Sequence, residues 1–345
     1  LGIVSTSIRV GILGSGNISD THARAAGAIP GVEVVAVYGR NREKAGLLAT
    51  RAGAVAYDDL DRFLAHRPMD LVAIGSPSGL HAEHGIAAAR RGLHVLVEKP
   101  LDVTTDRADA LIDAADRAGV KLGVFFQDRL KPAVVRMKKL IESGRLGTPV
   151  LAAGHVKWYR PPEYYGGSRW RGTWALDGGG ALMNQGIHTV DVLLSLFGPV
   201  AKVSAQVATR VHAIEVEDTA VATLEFASGA LGIIEAATSV YPGYARRIEV
   251  TGSEGTFVLD QDRLVRADLR SPVDAAELDA PAGAGESAAS PVVSDVTPHR
   301  RIFEDFIGAI QADGTPACDG REGRKSVAVV QAIYESARTD RAVIV

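Results

Sequence analysis

Cysteine is nearly absent from the 345-residue chain, Cys318 being the single one. This excludes an intrachain disulfide and any cysteine-clustered zinc or iron–sulfur centre, and it fits a reducing compartment. Long apolar runs are absent too: stretches such as 70–75 and 94–97 fall far short of the ~18–20 residues that span a bilayer. The opening Leu1–Arg9 has no signal-peptide pattern. The expectation is a cytoplasmic protein without a membrane partner. Charge of one sign is also lacking, with 38 Lys and Arg against 41 Asp and Glu, a net −3. No basic run supplies the electrostatic footprint of a duplex-binding protein, so nucleic acid is not an expected partner. No internal repeat and no G-x-S-x-G elbow or P-loop is found, which leaves a serine hydrolase or a phosphate-cleaving enzyme without an anchor.

What is there is an ordinary globular composition, 46% apolar and 23% charged. The length implies two domains of roughly 100–200 residues. In the first third, short apolar runs near 8–13, 32–38, 71–74, 95–97 and 121–126 alternate with amphipathic segments near 19–28, 42–51, 60–65, 80–91 and 106–118. That alternation predicts βαβ units wound into a doubly wound parallel sheet. From about Gly147 the pattern changes to long β-like runs, 149–159, 200–211, 219–226, 231–238 and 247–251, separated by glycine-containing turns. These predict an open, largely antiparallel sheet with helices on one face. Helix-like segments at 181–196, 301–312 and 324–338 complete it. The fold class is α/β followed by α+β, with a dinucleotide-type domain at 1–126 and a second domain at 127–345 whose closing helices are free to pack back on the first. The Ala-, Gly-, Ser- and Pro-rich stretch 279–291 reads as a flexible surface loop.

Gly11-Ile-Leu-Gly14-Ser15-Gly16-Asn17-Ile18-Ser19 follows the first strand and opens the first helix. Glycine at this turn lets the main chain approach a pyrophosphate, whose charge the free N–H groups of the helix N-terminus stabilise. The second strand runs into Gly39-Arg40-Asn41, with no carboxylate where NAD enzymes place one for the ribose hydroxyls. Arg40 and Arg42 would instead attract a 2′-phosphate, so NADP is favoured over NAD. The competing reading makes these arginines solvated helix-start residues. Strand 95–97 ends in Glu98-Lys99-Pro100, which puts Lys99 at the carboxyl end of a parallel strand, where open α/β sheets bind ligands.

The chain resembles the glucose–fructose oxidoreductase, inositol dehydrogenase and MocA-type (Gfo/Idh/MocA) oxidoreductases over essentially its whole length. The resemblance is carried by the Gly14–Gly16 turn, Ser76-Pro77-Ser78-Gly79-Leu80-His81, Glu98-Lys99-Pro100 and Gly178-Gly-Gly-Ala-Leu-Met-Asn184-Gln-Gly186-Ile-His188-Thr-Val-Asp191. It implies a Rossmann domain holding a nicotinamide cofactor, and a second domain whose sheet covers the substrate and mediates a homodimer or homotetramer. Lys99 and His188 take the positions of the family's catalytic lysine and histidine. The cofactor is expected at Gly14, Ser15, Gly16, Asn17, Ile18, Gly39, Arg40, Asn41, Ser76, Pro77, Ser78, His81, Glu98 and Lys99, with Trp170 and Arg171 near the nicotinamide.

The substrate, a sugar, polyol or nucleotide-linked sugar, is expected at Asn184, Asp191, Gln127, Arg129, Trp158, Tyr159 and Arg169. At helical spacing Asn184, His188 and Asp191 share one face, and Asp191 either fixes the imidazole tautomer or caps a local network. Asn184 departs from the Asp common in the family's sugar dehydrogenases, and an amide can orient a hydroxyl but cannot serve as a base, so proton transfer falls to His188 or Lys99. Trp158, Trp170 and Trp174 fall within seventeen residues that also hold Tyr159, Tyr164 and Tyr165. Such faces stack on the C–H side of a sugar, or else form an aromatic subunit contact. His81-x-x-His84 lacks a third ligand, so no metal is expected. The implied activity is hydride transfer between nicotinamide and a secondary alcohol or ketone. The alternatives are a glycosidase-like enzyme that recycles its NAD and a non-catalytic cofactor or sugar sensor.

Overall fold

A computed structural model describes residues 7–271 and 295–345, so the loop expected over 279–291 lies outside the described residues. The described chain divides into two compact units.

The first unit is built from β1 (Ile8–Leu13), α1 (Asn17–Gly27), β2 (Val32–Tyr38), α2 (Arg42–Ala52), β3 (Val55–Tyr57), α3 (Leu60–Leu64), β4 (Leu71–Ile74), α4 (His81–Ala89), β5 (His94–Val97), α5 (Thr105–Ala118) and β6 (Leu122–Val124). Its six strands are all parallel, in the order β3-β2-β1-β4-β5-β6. The sheet is covered on both faces, and so its central strands are continuously apolar: Leu71, Val72, Ala73 and Ile74 are wholly buried. The helices are bounded by local chemistry. Asn41 caps α2 by accepting from the Lys44 amide, and Thr104 does the same for α5 through Arg107. The N-cap of α1 is Gly16, which offers no side-chain acceptor and so leaves first-turn N–H groups available.

The second unit holds α6 (Pro132–Glu142), β7 (Pro149–Lys157), α7 (Pro162–Gly166), α8 (Ile187–Phe197), β8 (Val200–Ala208), β9 (Thr219–Phe226), β10 (Leu231–Ala237), β11 (Arg247–Gly252), β12 (Gly255–Asp260) and β13 (Arg263–Leu269). After it, α9 (Thr297–Gln311) belongs to the first unit and packs on α1. α10 (Gly320–Thr339) begins in the first unit and ends in the second, where β14 (Val343–Ile344) pairs with β8. The eight-stranded sheet has the order β13-β12-β11-β7-β10-β9-β8-β14 and is antiparallel except at the β7–β10 pair. One face buries Ala152, Val156, Ala222, Leu224, Ile234 and Val250, with α8 packed on β7 from that side. The other face carries polar residues such as His155, Lys157 and Glu235 together with the exposed Leu151, Val221 and Leu231.

Candidate active site

The turn between β1 and α1 is shaped as the glycine pattern requires. Gly14 sits at φ +127°, a conformation closed to L side chains, and its amide donates to the Tyr38 carbonyl at 2.8 Å. A Cβ at Gly14 would overlap the Ser19 hydroxyl and come within 2.8 Å of the Gly75 carbonyl. A Cβ at Gly39 would likewise strike Ser15, so the ends of β1 and β2 close into one tight mouth over the α1 N-terminus. Ser15 and Ile18 are half-buried, while Gly16, Asn17, Arg40 and Asn41 are exposed. The cradle fits a dinucleotide: its backbone is uncovered, its helix dipole faces outward, and a cation flanks the end of β2. Asn41 differs in one respect, because its side-chain oxygen is used to cap α2.

Beyond β4, Ser76 and Pro77 are half-buried and Ser78 is buried. His81 bridges two strand ends, with Nδ1 2.7 Å from the Pro100 carbonyl and Nε2 2.9 Å from the Ser76 carbonyl. His84 Nδ1 contacts the Ser76 hydroxyl at 2.9 Å, and burial pushes the imidazole down to about 4, so it stays neutral. Both histidines of the His81-x-x-His84 pair thus serve the strand ends.

Lys99 is half-buried at the end of β5, and its amide donates to Glu98 Oε2 at 3.0 Å. Glu98, expected at the cofactor, turns inward instead. Its Oε1 lies 3.1 Å from His22 Nε2 and 3.6 Å from His299 Nε2, with His22 stacked on Phe125 at 4.2 Å. Burial pushes the Glu98 carboxyl up, but the two imidazoles outweigh it and hold the group well below the usual carboxylate range. Burial pushes the His22 imidazole below its ordinary value, against the pull of Glu98. The ligand-type atoms of these three residues lie within 4.8 Å of one another, a grouping the sequence reading did not foresee. Among the described residues, the Nδ1 atoms of both histidines and His299 Nε2 have no hydrogen-bond partner. Metal-bound imidazoles are normally tied down at the nitrogen away from the ion; here the direct hydrogen bond is that of His22 to Glu98, with His299 beside it.

In the second unit the segment 181–186 is a π-helical turn that runs directly into α8. Asn184 lies in this wider turn while His188 and Asp191 lie in α8, so the three do not share a single regular α-helical face. Glu217 holds the turn: its carboxylate accepts the Gly180 and Leu182 amides at 2.8 Å each and the Tyr334 hydroxyl at 3.0 Å. Asn184 Nδ2 donates to the buried Asp177 carboxylate at 2.7 Å, which accounts for the amide at this position: a second carboxylate there would face Asp177 at hydrogen-bond distance.

Asp191 corrects the expectation that it binds substrate or orients His188. It is wholly buried, with Arg129 Nε and Nη2 each at 2.7 Å and Ser326 Oγ at 3.1 Å. Arg129 is therefore committed to a bidentate pair. The carboxylate beside His188 is Asp128, with Oδ2 4.0 Å from Nδ1. Gln127 is half-buried in the turn just before it. Among the aromatics, Arg171 lies over the Tyr164 ring at 4.3 Å and beside Trp170 at 5.4 Å, and Arg160 lies between Trp158 and Tyr164 at 5.2 and 5.3 Å. Trp158, Tyr159 and Trp170 are half-buried, and Arg169 is exposed. The sequence reading assigned no role to Asp128, Asp177, Glu217 or Tyr334, although Asp128 stands between two residues it had chosen.

Glu217 gives a stability prediction. Burial pushes its carboxyl up to about 7 against the pull of its three donors. With the folded value above the unfolded one of 4.5, the folded state holds a proton the unfolded state has lost between these two pH values. Stability is thus greatest below that window and falls as pH rises through it, by about 3 kcal/mol from this group. Urea midpoints at pH 4.5 and 7.5 are expected to differ less in Glu217→Gln than in the wild type. An unchanged difference would show that Glu217 is already ionised at the lower pH.

Residues 8–126 match the oxidoreductase family with an NAD-binding Rossmann fold, and residues 134–258 match the Gfo/Idh/MocA C-terminal domain. The chain belongs to the Gfo/Idh/MocA oxidoreductase family. Like the rest of that family it is an NAD(P)-binding oxidoreductase with a Rossmann sheet and a mostly antiparallel second sheet. It is 30% identical to D-xylose 1-dehydrogenase (NADP(+)) 2 of Haloferax volcanii, covering 96% of this chain and 98% of the relative. It is 33% identical to the WlbA dehydrogenase from Bordetella pertussis, solved in complex with NADH and UDP-GlcNAcA, with a TM-score of 0.89 over 100% of this chain and 99% of that one. Levoglucosan dehydrogenase in complex with NADH and levoglucosan is 26% identical, with a TM-score of 0.87 over 98% and 99%. No helix among the described residues is long and apolar enough to cross a membrane.

Proposed function

We propose that this family member oxidises or reduces a secondary alcohol or ketone of a sugar, polyol or nucleotide-linked sugar, and that it prefers NADP. The observation that carries the reaction type is the presence of Lys99 at the end of β5 together with His188 at the start of α8, each beside a buried carboxylate, Glu98 and Asp128 respectively. The nicotinamide, when bound, supplies the hydride acceptor or donor. His188 accepts the hydroxyl proton in oxidation and returns it in reduction, while Lys99 hydrogen-bonds the reacting oxygen. Asn184 is tied to Asp177 through its N–H, and as an amide it orients a substrate hydroxyl without taking its proton. Arg160 and Arg171, set among Trp158, Tyr164 and Trp170, suit a ligand with an apolar ring face and anionic groups. The nucleotide-linked sugar in the WlbA complex favours that class over a free polyol.

Arg40 beside an acid-free strand end supports NADP, the cofactor named for the Haloferax volcanii relative. A homodimer or homotetramer is supported by the exposed Leu151, Val221 and Leu231, which the register puts on one face of the second sheet. The buried lone thiol of Cys318 accords with a cytoplasmic setting. Fluorescence titration with NADPH and NADH tests the cofactor reading, and nicotinamide absorbance with a panel of sugars, polyols and nucleotide sugars tests the reaction. The expected result is tighter NADPH binding, lost on Arg40→Ala, with stoichiometric substrate-dependent absorbance change. Net hydrolysis without cofactor consumption would replace this reading with the recycled-NAD glycosidase.

A further inference from the structure

The 3₁₀ turn Gln127–Leu130 precedes α6 and carries Asp128, which is buried in the second unit alongside α8. Its Oδ2 meets His188 Nδ1 at 4.0 Å and is also bound by the buried Arg246 guanidinium. Its Oδ1 takes Lys131 Nζ at 2.7 Å. Both cations are shared with Asp262, through Arg246 Nη2 and Lys131 Nζ at 2.8 Å each. The four side chains form a closed ring of two carboxylates and two cations, so the ring carries no net charge while its Asp128 corner points at His188. The one carboxylate on α8, Asp191, is used by Arg129 and Ser326.

An unsupported carboxylate at this burial would take up a proton and lose its charge. Here burial pushes Asp128 up, but Arg246, Lys131 and His188 together hold it well below the usual carboxylate range. The two cations therefore keep a negative charge available at one edge of the imidazole.

We infer that Asp128 is a positioning residue for His188, holding the imidazole in the Nδ1–H tautomer so that Nε2 carries the lone pair that accepts the substrate proton. The inference rests on the reading of His188 as proton acceptor. When that proton arrives, the imidazolium forms within 4.0 Å of the Asp128 carboxylate, and no atom leaves or enters the ring. The gap exceeds a hydrogen bond, as is common for orienting contacts that tighten only with substrate bound. The charged groups brought to Asp128 beside His188 are Lys131 and Arg246, with Asp262 closing the ring behind them, and Asp191, paired with Arg129, lies one turn along α8. The chain thus carries an amide at 184 and puts its carboxylate at 128.

Two measurements on the full-length protein test this without needing the substrate. Long-range proton–nitrogen NMR of the ring, assigned by loss of the signal in His188→Asn, is expected to show Nδ1 protonated in the neutral wild type. Finding Nε2 protonated would overturn the inference. In Asp128→Asn the His188 titration midpoint is expected to fall by about one unit, the low end of what an opposite charge within about 4–6 Å produces. An unmoved midpoint in a folded variant would overturn it as well. If loss of the buried carboxylate unfolds the variant, the wild-type tautomer still decides. Once turnover is in hand, the acidic limb of kcat for alcohol oxidation should move with the midpoint while KM stays within about threefold. Full turnover in His188→Asn would instead sink the proton-acceptor reading and leave the tautomer result standing as a structural fact.

Discussion

Replacing Lys99 by Met is expected to lower kcat by a factor on the order of 10²–10⁴ while the NADPH dissociation constant stays within a few-fold of wild type. The structure makes this a clean substitution. Met matches the lysine stem in length and removes only the ammonium. The backbone that presents residue 99 is fixed by other groups: Val97 is wholly buried in β5, and the residue 99 amide is held by Glu98 Oε2 at 3.0 Å. Glu98 is in turn fixed by His22 at 3.1 Å and flanked by His299 at 3.6 Å. A loss of turnover in Lys99→Met therefore reports the missing donor. Steady-state kinetics together with fluorescence titration separate the two terms, and wild-type kcat in the variant would remove Lys99 from the chemistry. A parallel loss of cofactor affinity would place the ammonium at the nicotinamide instead of at the reacting oxygen.

The parts of the molecule that were legible in the sequence are those set by local rules. The parallel sheet followed from strand-length apolar runs alternating with helical periodicity, and β1, β2 and β4 fall where the runs were read. The cradle was legible because only glycine tolerates the backbone at Gly14. Less legible were elements whose signals conflict. The segment 132–142 opens with proline and a pair of valines, residues that favour strands or breaks, yet Pro132 fits the first turn of α6 and Ala133, Val134 and Met137 form its buried stripe. Strands β12 and β13 are joined through Gln261 at φ +56°, where a glycine or an Asn-Gly pair would have marked the hairpin. The small β3 has too few residues for periodicity to register.

The site was half legible for a related reason. A motif specifies which residue types stand at which spacing, and it does not specify which charges meet across the fold. Asp191 and Asp128 are both candidates to face His188 until Arg129 and Ser326 are found on the first and Arg246 and Lys131 on the second. Glu98 sits inside the Glu-Lys-Pro triplet, but only the positions of α1 and α9 show that its partners are His22 and His299. The π-helical turn at 181–186 is likewise set by a remote carboxylate, Glu217, more than thirty residues further along the chain.

The glycine pair of the cradle offers the other large effect, because Gly14 and Gly16 separate folding from binding. Gly16 has φ −89° and ψ −175°, open to any residue, and a Cβ there meets nothing within 4 Å. Gly16→Ala is therefore expected to unfold at the wild-type temperature. Its added methyl would stand over the uncovered N-terminus of α1, where the pyrophosphate needs the backbone N–H groups, so NADPH affinity should fall by about 10-fold or more, near 1.4 kcal/mol. Gly14→Ala differs, since φ +127° and the nearness of the Gly75 carbonyl penalise any side chain. Strain of that kind costs about 1–3 kcal/mol. The variant is expected to lose both thermal stability and at least about 100-fold in affinity, because the tilt of the turn moves the N–H groups that Gly16 presents. Calorimetric unfolding and NADPH titration of the two variants read the terms separately. Wild-type affinity in Gly16→Ala would move the pyrophosphate away from this helix end, and with it the reading of Ser15, Asn17 and Ile18.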